Sequence, residues 1–171
     1  MYYKIIEKFG PEDGDKWRGY LQWRGLDLEK FDSVDSGLRP DRFEPVSNED
    51  WQNCVLEDFK INLITNLGYA KKIIDQYDNS VLIGVEIEID EGYQPNENLL
   101  GFDIIDVSCG VSLVTNWGTD EEGLFVNDVM PNGLIGSLLR ALQIRDTLRK
   151  GFSEDSHAEN CEVWAIYGVN T

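Results

Sequence analysis

One histidine, three cysteines and 15 basic residues in 171 leave little material for several kinds of chemistry. Nucleophilic hydrolysis needs a base beside the nucleophile, and His157 is the single imidazole. No Gly-x-Ser-x-Gly elbow accompanies it, and the polar run Ser153-Glu154-Asp155-Ser156-His157 predicts an exposed loop. Cys54, Cys109 and Cys161 are odd in number and far apart, which argues against a disulfide framework and against a pair-of-pairs zinc site. They read as small, partly buried hydrophobes. His157 and Cys161 are spaced to offer two metal ligands, with Cys54 or Cys109 supplied from elsewhere. No local pair completes that set, so the sequence predicts neither a metal nor another cofactor.

Basic charge is the scarcest property. Against 15 Lys plus Arg stand 32 Asp plus Glu, a formal net charge of −17. Such an excess opposes nucleic acid and anionic membrane as partners and favours a basic one. Long apolar runs are missing as well: none reaches the ~20 residues that cross a bilayer. The start, Met1-Tyr2-Tyr3-Lys4-Ile5-Ile6-Glu7-Lys8, lacks the apolar stretch and small-residue cleavage site of a secretory signal, so a cytoplasmic location is expected. Residues 10–16 (GPEDGDK) carry two glycines and a lysine, but three acids would repel a phosphate and Pro11 removes a donor. The twelve-residue ligand spacing of a calcium loop is absent there too.

What is present is a folding composition. Hydrophobic residues make up 42% and aromatics 11%, with five Trp spread from Trp17 to Trp164, so the acid sits on a folded body. A chain of this length suits one domain, 1–171, burying roughly 70% of its unfolded surface. The pattern predicts a strand over 2–9, a turn at 10–15 and a return strand over 17–23, then a long connection over 27–50 broken by Pro40 and Pro45. Helices are predicted after Ser47, with Trp51, Val55, Leu56 and Phe59 near helical spacing, and over 66–76. Val81 to Asp90 is the strongest strand signal; 99–107 and 111–117 read as two more, and 120–123 as an acidic turn. Leu134, Leu138, Leu142 and Arg145, beside Ile135, Leu139 and Leu148, trace an amphipathic helix that Gly151 stops. A final strand over 162–167 is apolar on both faces, which favours a central place in the sheet. The expectation is an α+β fold with a mainly antiparallel sheet, two or three helices and one layer-pair core.

The carboxylates hold the candidate chemistry. Glu86, Glu88 and Asp90 fall on one parity of the predicted strand, at intervals of about 7 Å. Paired carboxylates can act as acid and base or hold a divalent ion, as in a small carboxylate- or metal-dependent hydrolase. A solvated outer face is the default reading. A third reading joins them with Asp120, Glu121 and Glu122 as a patch that steers and docks a cationic protein, with no chemistry of its own. Trp17, Arg18, Tyr20, Trp23 and Arg24 interleave bases with aromatics as single-strand binders do, but at this net charge they read as core aromatics with outward arginines.

Several strings taken together, LDLEKFDSVDS (26–36), EDW (49–51), EDFKINLITNL (57–67), LLGFDI (99–104) and HAENCEVWAI (157–166), resemble small bacterial proteins associated with immunity to polymorphic or contact-dependent growth-inhibition toxins. The likeness runs across most of the chain. These stretches have no known chemical role, so no site residue is carried over from them. The resemblance implies a non-enzymatic protein that binds a toxin domain and blocks its active site or docking surface. Many such toxins are nucleases and must be basic to hold nucleic acid, which an acidic inhibitor would complement. The residues alone leave open a regulatory protein-binding module with another partner.

Overall fold

Alternating and continuous apolar runs become strands here, and their burial decides the order of the sheet. The computed structural model describes residues 1–7, 28, 30, 32–33, 48–56, 63–76, 80–115, 125–151 and 156–170. Among these, the strands are β1 (Tyr2–Glu7), β2 (Val55–Leu56), β3 (Leu63–Ile64), β4 (Ser80–Glu86), β5 (Leu99–Asp106), β6 (Val111–Ser112) and β7 (Cys161–Gly168). They form one curled sheet in the order β2-β3-β1-β4-β7-β5-β6, and each of its pairings is antiparallel. The helices are α1 (Asn48–Cys54), α2 (Leu67–Ile74), α3 (Leu138–Gly151) and α4 (Ser156–Glu159). The fold is α+β and sheet-dominated, as the sequence leads one to expect.

β7 lies between β4 and β5, and its residues explain why. Val163, Ala165 and Tyr167 face one side, Trp164 and Ile166 the other, and all five are at most 1% exposed. A strand apolar on both faces is stable only where both faces are covered. On the first side, Val163, Ala165 and Tyr167 pack with Phe102 and Ile104 of β5 and with Ala141, Leu142, Ile144 and Leu148 of α3. Further along the same side, α2 sets Tyr69, Ala70 and Ile73 against Ile5, Ile64 and Leu82. The opposite side joins Ile6, Ile83, Val85, Ile105, Trp164 and Ile166, with Leu134 packed on it.

α2 begins where Asn66 caps it, its side-chain oxygen accepting from Tyr69 N at 3.0 Å. α3 starts four residues later than the apolar pattern alone predicts. Ser137 caps it, accepting from Arg140 N at its hydroxyl (3.4 Å) and from Ala141 N at its carbonyl (2.9 Å). Leu134 and Ile135 instead belong to an extended segment: Ile135 exchanges backbone bonds with Phe102 at 2.8 Å each way. That segment docks against a bulge between Leu99 and Gly101. Gly101 has φ 151°, and a Cβ there would stand 2.8 Å from Leu134 Cβ and from Met130 Cε, so close approach demands glycine.

Three further expectations are corrected. β4 ends at Glu86 and does not run to Asp90, because Glu88 has a left-handed backbone, φ 56°. Ile89 then bonds its N–H to Val163 O at 3.0 Å and is buried on the α3 side, so alternation shifts by one residue at Glu88. The helix predicted to reach Phe59 stops at Cys54, and Val55–Leu56 turn into a strand. His157 lies on the short helix α4 where a loop is predicted. Of the connection over 27–50, Leu28 is buried and Lys30 N and Asp32 N bond to Pro131 O (3.1 Å) and Asn132 O (2.9 Å), so this part does wrap the body. The return strand over 17–23 and the acidic turn at 120–123 lie outside the described residues.

Candidate functional site

The shift at Glu88 sets the geometry of the predicted carboxylates. Glu86 ends β4 on the helix-bearing side, Glu88 is exposed at the left-handed corner, and Asp90 follows it, also exposed. They therefore do not line up along one strand face. The chain brings them together in another way: with Met1, Tyr2, Ile87, Ile89 and Tyr93 they line one open cleft of about 410 Å³. No lysine or arginine is among the described lining residues. Asp120, Glu121 and Glu122 lie outside the described residues, so their placement beside this cleft is not described.

The three acids have different roles in the cleft. Asp90 Oδ1 accepts from Gly92 N at 2.9 Å, closing the turn that delivers Tyr93. Glu86 Oε2 accepts from the Tyr93 hydroxyl, which also contacts the Tyr167 hydroxyl; Tyr167 itself lies 3.5 Å from Glu86 Oε2. Burial, then the negative charge of Glu86, push the Tyr167 phenol up to about 12. The Tyr167 phenol is therefore neutral at physiological pH, and Glu86 is the acceptor on which it and Tyr93 converge. Among the described residues none of the three acids takes part in an ion pair. The cleft sets these acids beside Ile87, Ile89 and Tyr93, a lining both acidic and apolar.

A second cluster forms where β5 ends. Asp106 is fully buried, and the tight turn after it returns Gly110 N to Asp106 O at 2.8 Å. Ser108 donates to Asp106 Oδ1 from its N–H (2.8 Å) and its hydroxyl (2.7 Å). The other oxygen, Oδ2, accepts from Cys109 Sγ at 2.8 Å and bonds to His157 Nδ1. Cys109 Sγ and His157 Nδ1 are 3.7 Å apart. Burial raises the Asp106 carboxyl, but the hydrogen bonds from Cys109, Ser108 and His157 outweigh it and hold the group below the ordinary carboxylate range. Because thiol and imidazole meet the same carboxylate oxygen through Nδ1, this is not a relay in which a histidine bridges nucleophile and acid through its two nitrogens.

Sequence spacing pairs His157 with Cys161, and the structure pairs it with Asp106 and Cys109. Cys161 points into the core, where burial raises its thiol to about 11. Cys54 is half-buried beside β2. The Asp106 cluster spans 51 residues of sequence, and the register Asp106↔Cys161 between β5 and β7 is what assembles it. The only local signal is Asp-x-Ser-Cys, a carboxylate able to close a turn on the serine two residues later.

No helix among the described residues is long and apolar enough to cross a membrane. No protein-family model, curated protein or solved structure matches this chain.

Proposed function

We propose that this chain is an immunity protein that binds a cationic toxin domain, of the nuclease type, through its acidic cleft and neutralises it. The observation that carries the reading is the cleft itself: Glu86, Glu88 and Asp90 open on one concavity with no lysine or arginine among its described lining residues, on a chain of net charge −17. Opposite charge at close range speeds encounter and rejects partners of the wrong sign. Ile87, Ile89 and Tyr93 add apolar contact next to the acids, the mixture that a lysine or arginine side chain with its aliphatic stem requires. The family resemblance supports the same reading.

The test is binding of the purified chain to the product of the neighbouring gene in its source genome, with that product's toxicity assayed alone and in complex. Tight binding with loss of toxicity is expected, and the association rate should fall steeply as salt is raised. Replacing Glu86→Gln, Glu88→Gln and Asp90→Asn together should weaken binding by about 2–4 kcal/mol. Binding indifferent to salt and to the triple variant would remove the cleft from the mechanism; absence of binding would remove the immunity role.

A further inference from the structure

The Asp106 cluster offers three chemically different ligand atoms at one point, and its supports are those of a metal site. We propose that Asp106 Oδ2, Cys109 Sγ and His157 Nδ1 bind a divalent transition metal of the zinc class, with the fourth position open to solvent. The inference is independent of the toxin reading, since it concerns the end of β5 and needs no partner protein.

Three observations carry it. The ligand atoms lie within 4.8 Å of one another. Sγ and Nδ1, at 3.7 Å, already stand at the separation of about 3.5 Å that two ligands take around a tetrahedral ion with metal bonds of about 2.0–2.3 Å. Second, the ligand carboxylate is oriented from behind: Ser108 fixes Oδ1 with two hydrogen bonds, which leaves Oδ2 aimed at the thiol and imidazole. Third, Asp106 is fully buried with both carboxyl oxygens aimed at donors, a position that a charged carboxylate keeps only beside a positive partner. Among the described residues its ion-pair partner is His157, which is cationic only when protonated. A metal ion would supply that charge directly.

The donor set selects the ion. Thiolate and imidazole disfavour calcium and magnesium, which take oxygen ligands, and favour zinc, cobalt and their neighbours. Binding replaces the two hydrogen bonds on Oδ2: the thiol proton leaves to solvent, and the Nδ1 proton leaves to solvent from a protonated imidazole or moves to Nε2 in a neutral one, as Sγ and Nδ1 bond the ion. The His157 side chain is 51% exposed, so the ion has a path in and a face toward water.

The experiment uses the full chain, stripped with a chelator and titrated with cobalt(II) and then zinc. One equivalent of cobalt should bring up a thiolate-to-cobalt charge-transfer band and the intense visible bands of a tetrahedral ion, and zinc should abolish both. His157→Ala, at an exposed position, should weaken binding by at least about a hundredfold with the fold intact by circular dichroism, and Ser108→Ala by about tenfold. Cys109→Ser should remove the charge-transfer band, whereas Cys54→Ser should keep it. Peptide mapping after alkylation of the unmutated protein should show zinc shielding Cys109. The proposal fails if cobalt gives no thiolate band, if the band survives Cys109→Ser, or if binding is weak, multisite and unchanged by His157→Ala.

Discussion

Asp103 and Asp106 are buried carboxylates three residues apart on β5, and the pleat sends them to opposite faces of the sheet. Asp103 stands opposite Trp164, on the face of the Ile83 and Ile166 cluster; Asp106 stands opposite Cys161, on the face that carries α3. Their surroundings differ in kind. Asp103 accepts from Ser33 Oγ at 2.9 Å, Ser112 Oγ at 2.6 Å and Ile104 N at 2.9 Å, with Thr115 Oγ1 3.4 Å beyond Ser33. Asp106 meets a thiol and an imidazole, one of them open to water. The same residue type on the same strand thus ties distant segments together in one place and assembles reactive side chains in the other. Burial of an acid does not by itself mark a functional site; the chemistry of its donors does.

The comparison is broken most strongly at Asp103. Asp103→Ala strips the shared acceptor from two buried hydroxyls and a backbone N–H, and should cost about 3 kcal/mol, read as a lowered urea midpoint at unchanged slope. If the variant is as stable as the parent, the network linking residues 33, 103, 112 and 115 contributes nothing net.

Asp106→Asn should cost less, about 1–2 kcal/mol in the metal-free protein, and its cost should depend on pH. The folded Asp106 carboxyl lies below its ordinary value, so its ionised form is the one the fold favours. That contribution is full above the unfolded value of about 3.9 and is lost as pH falls through the lowered folded value. Measured in a His157→Ala background, so that no imidazole titrates beside the carboxyl, parent and variant should therefore differ by a constant amount above about pH 5 and converge in acid. A difference that widens toward low pH would mean that the carboxyl is protonated in the fold.

How far the sequence alone reaches follows from what is local. β1, β7 and α2 are legible because their apolar residues repeat at the period of the element that buries them. The end of β4 is not, since Glu86-Ile87-Glu88-Ile89-Asp90 keeps strict alternation through a residue whose backbone turns left-handed, and nothing in the side-chain pattern records a backbone angle. The same holds at α3, where Leu134 and Ile135 fit the helical stripe yet serve the sheet, because Gly133, Gly136 and the Ser137 cap interrupt the helix without changing its periodicity. The carboxylates of the cleft are found by sequence as residues but not as a shape. The Asp106 cluster is found only as an isolated histidine and cysteine, because sheet register brings them together.

The smallest effect sharpens the contrast between the cleft and the buried acids. Tyr167 is 1% exposed, and its phenol rises to about 12 first through burial and then through Glu86. A raised folded value for a phenol means that the neutral form is favoured: the contribution to stability is full below the unfolded value of about 10 and is lost as pH climbs through about 12. Glu86→Gln removes the smaller cause and leaves the larger, so the Tyr167 titration, isolated as the ultraviolet difference between parent and Tyr167→Phe, should move down from about 12 while staying above 10. Stability at neutral pH should change by only about 0.5 kcal/mol, because glutamine still accepts from the phenols. An unmoved titration would mean that Glu86 is screened from Tyr167 by water, and the cleft would then present its carboxylate to a partner already solvated. A titration that falls to the ordinary value would make Glu86 the dominant influence, and the pair of phenols a charge-dependent part of the cleft's wall.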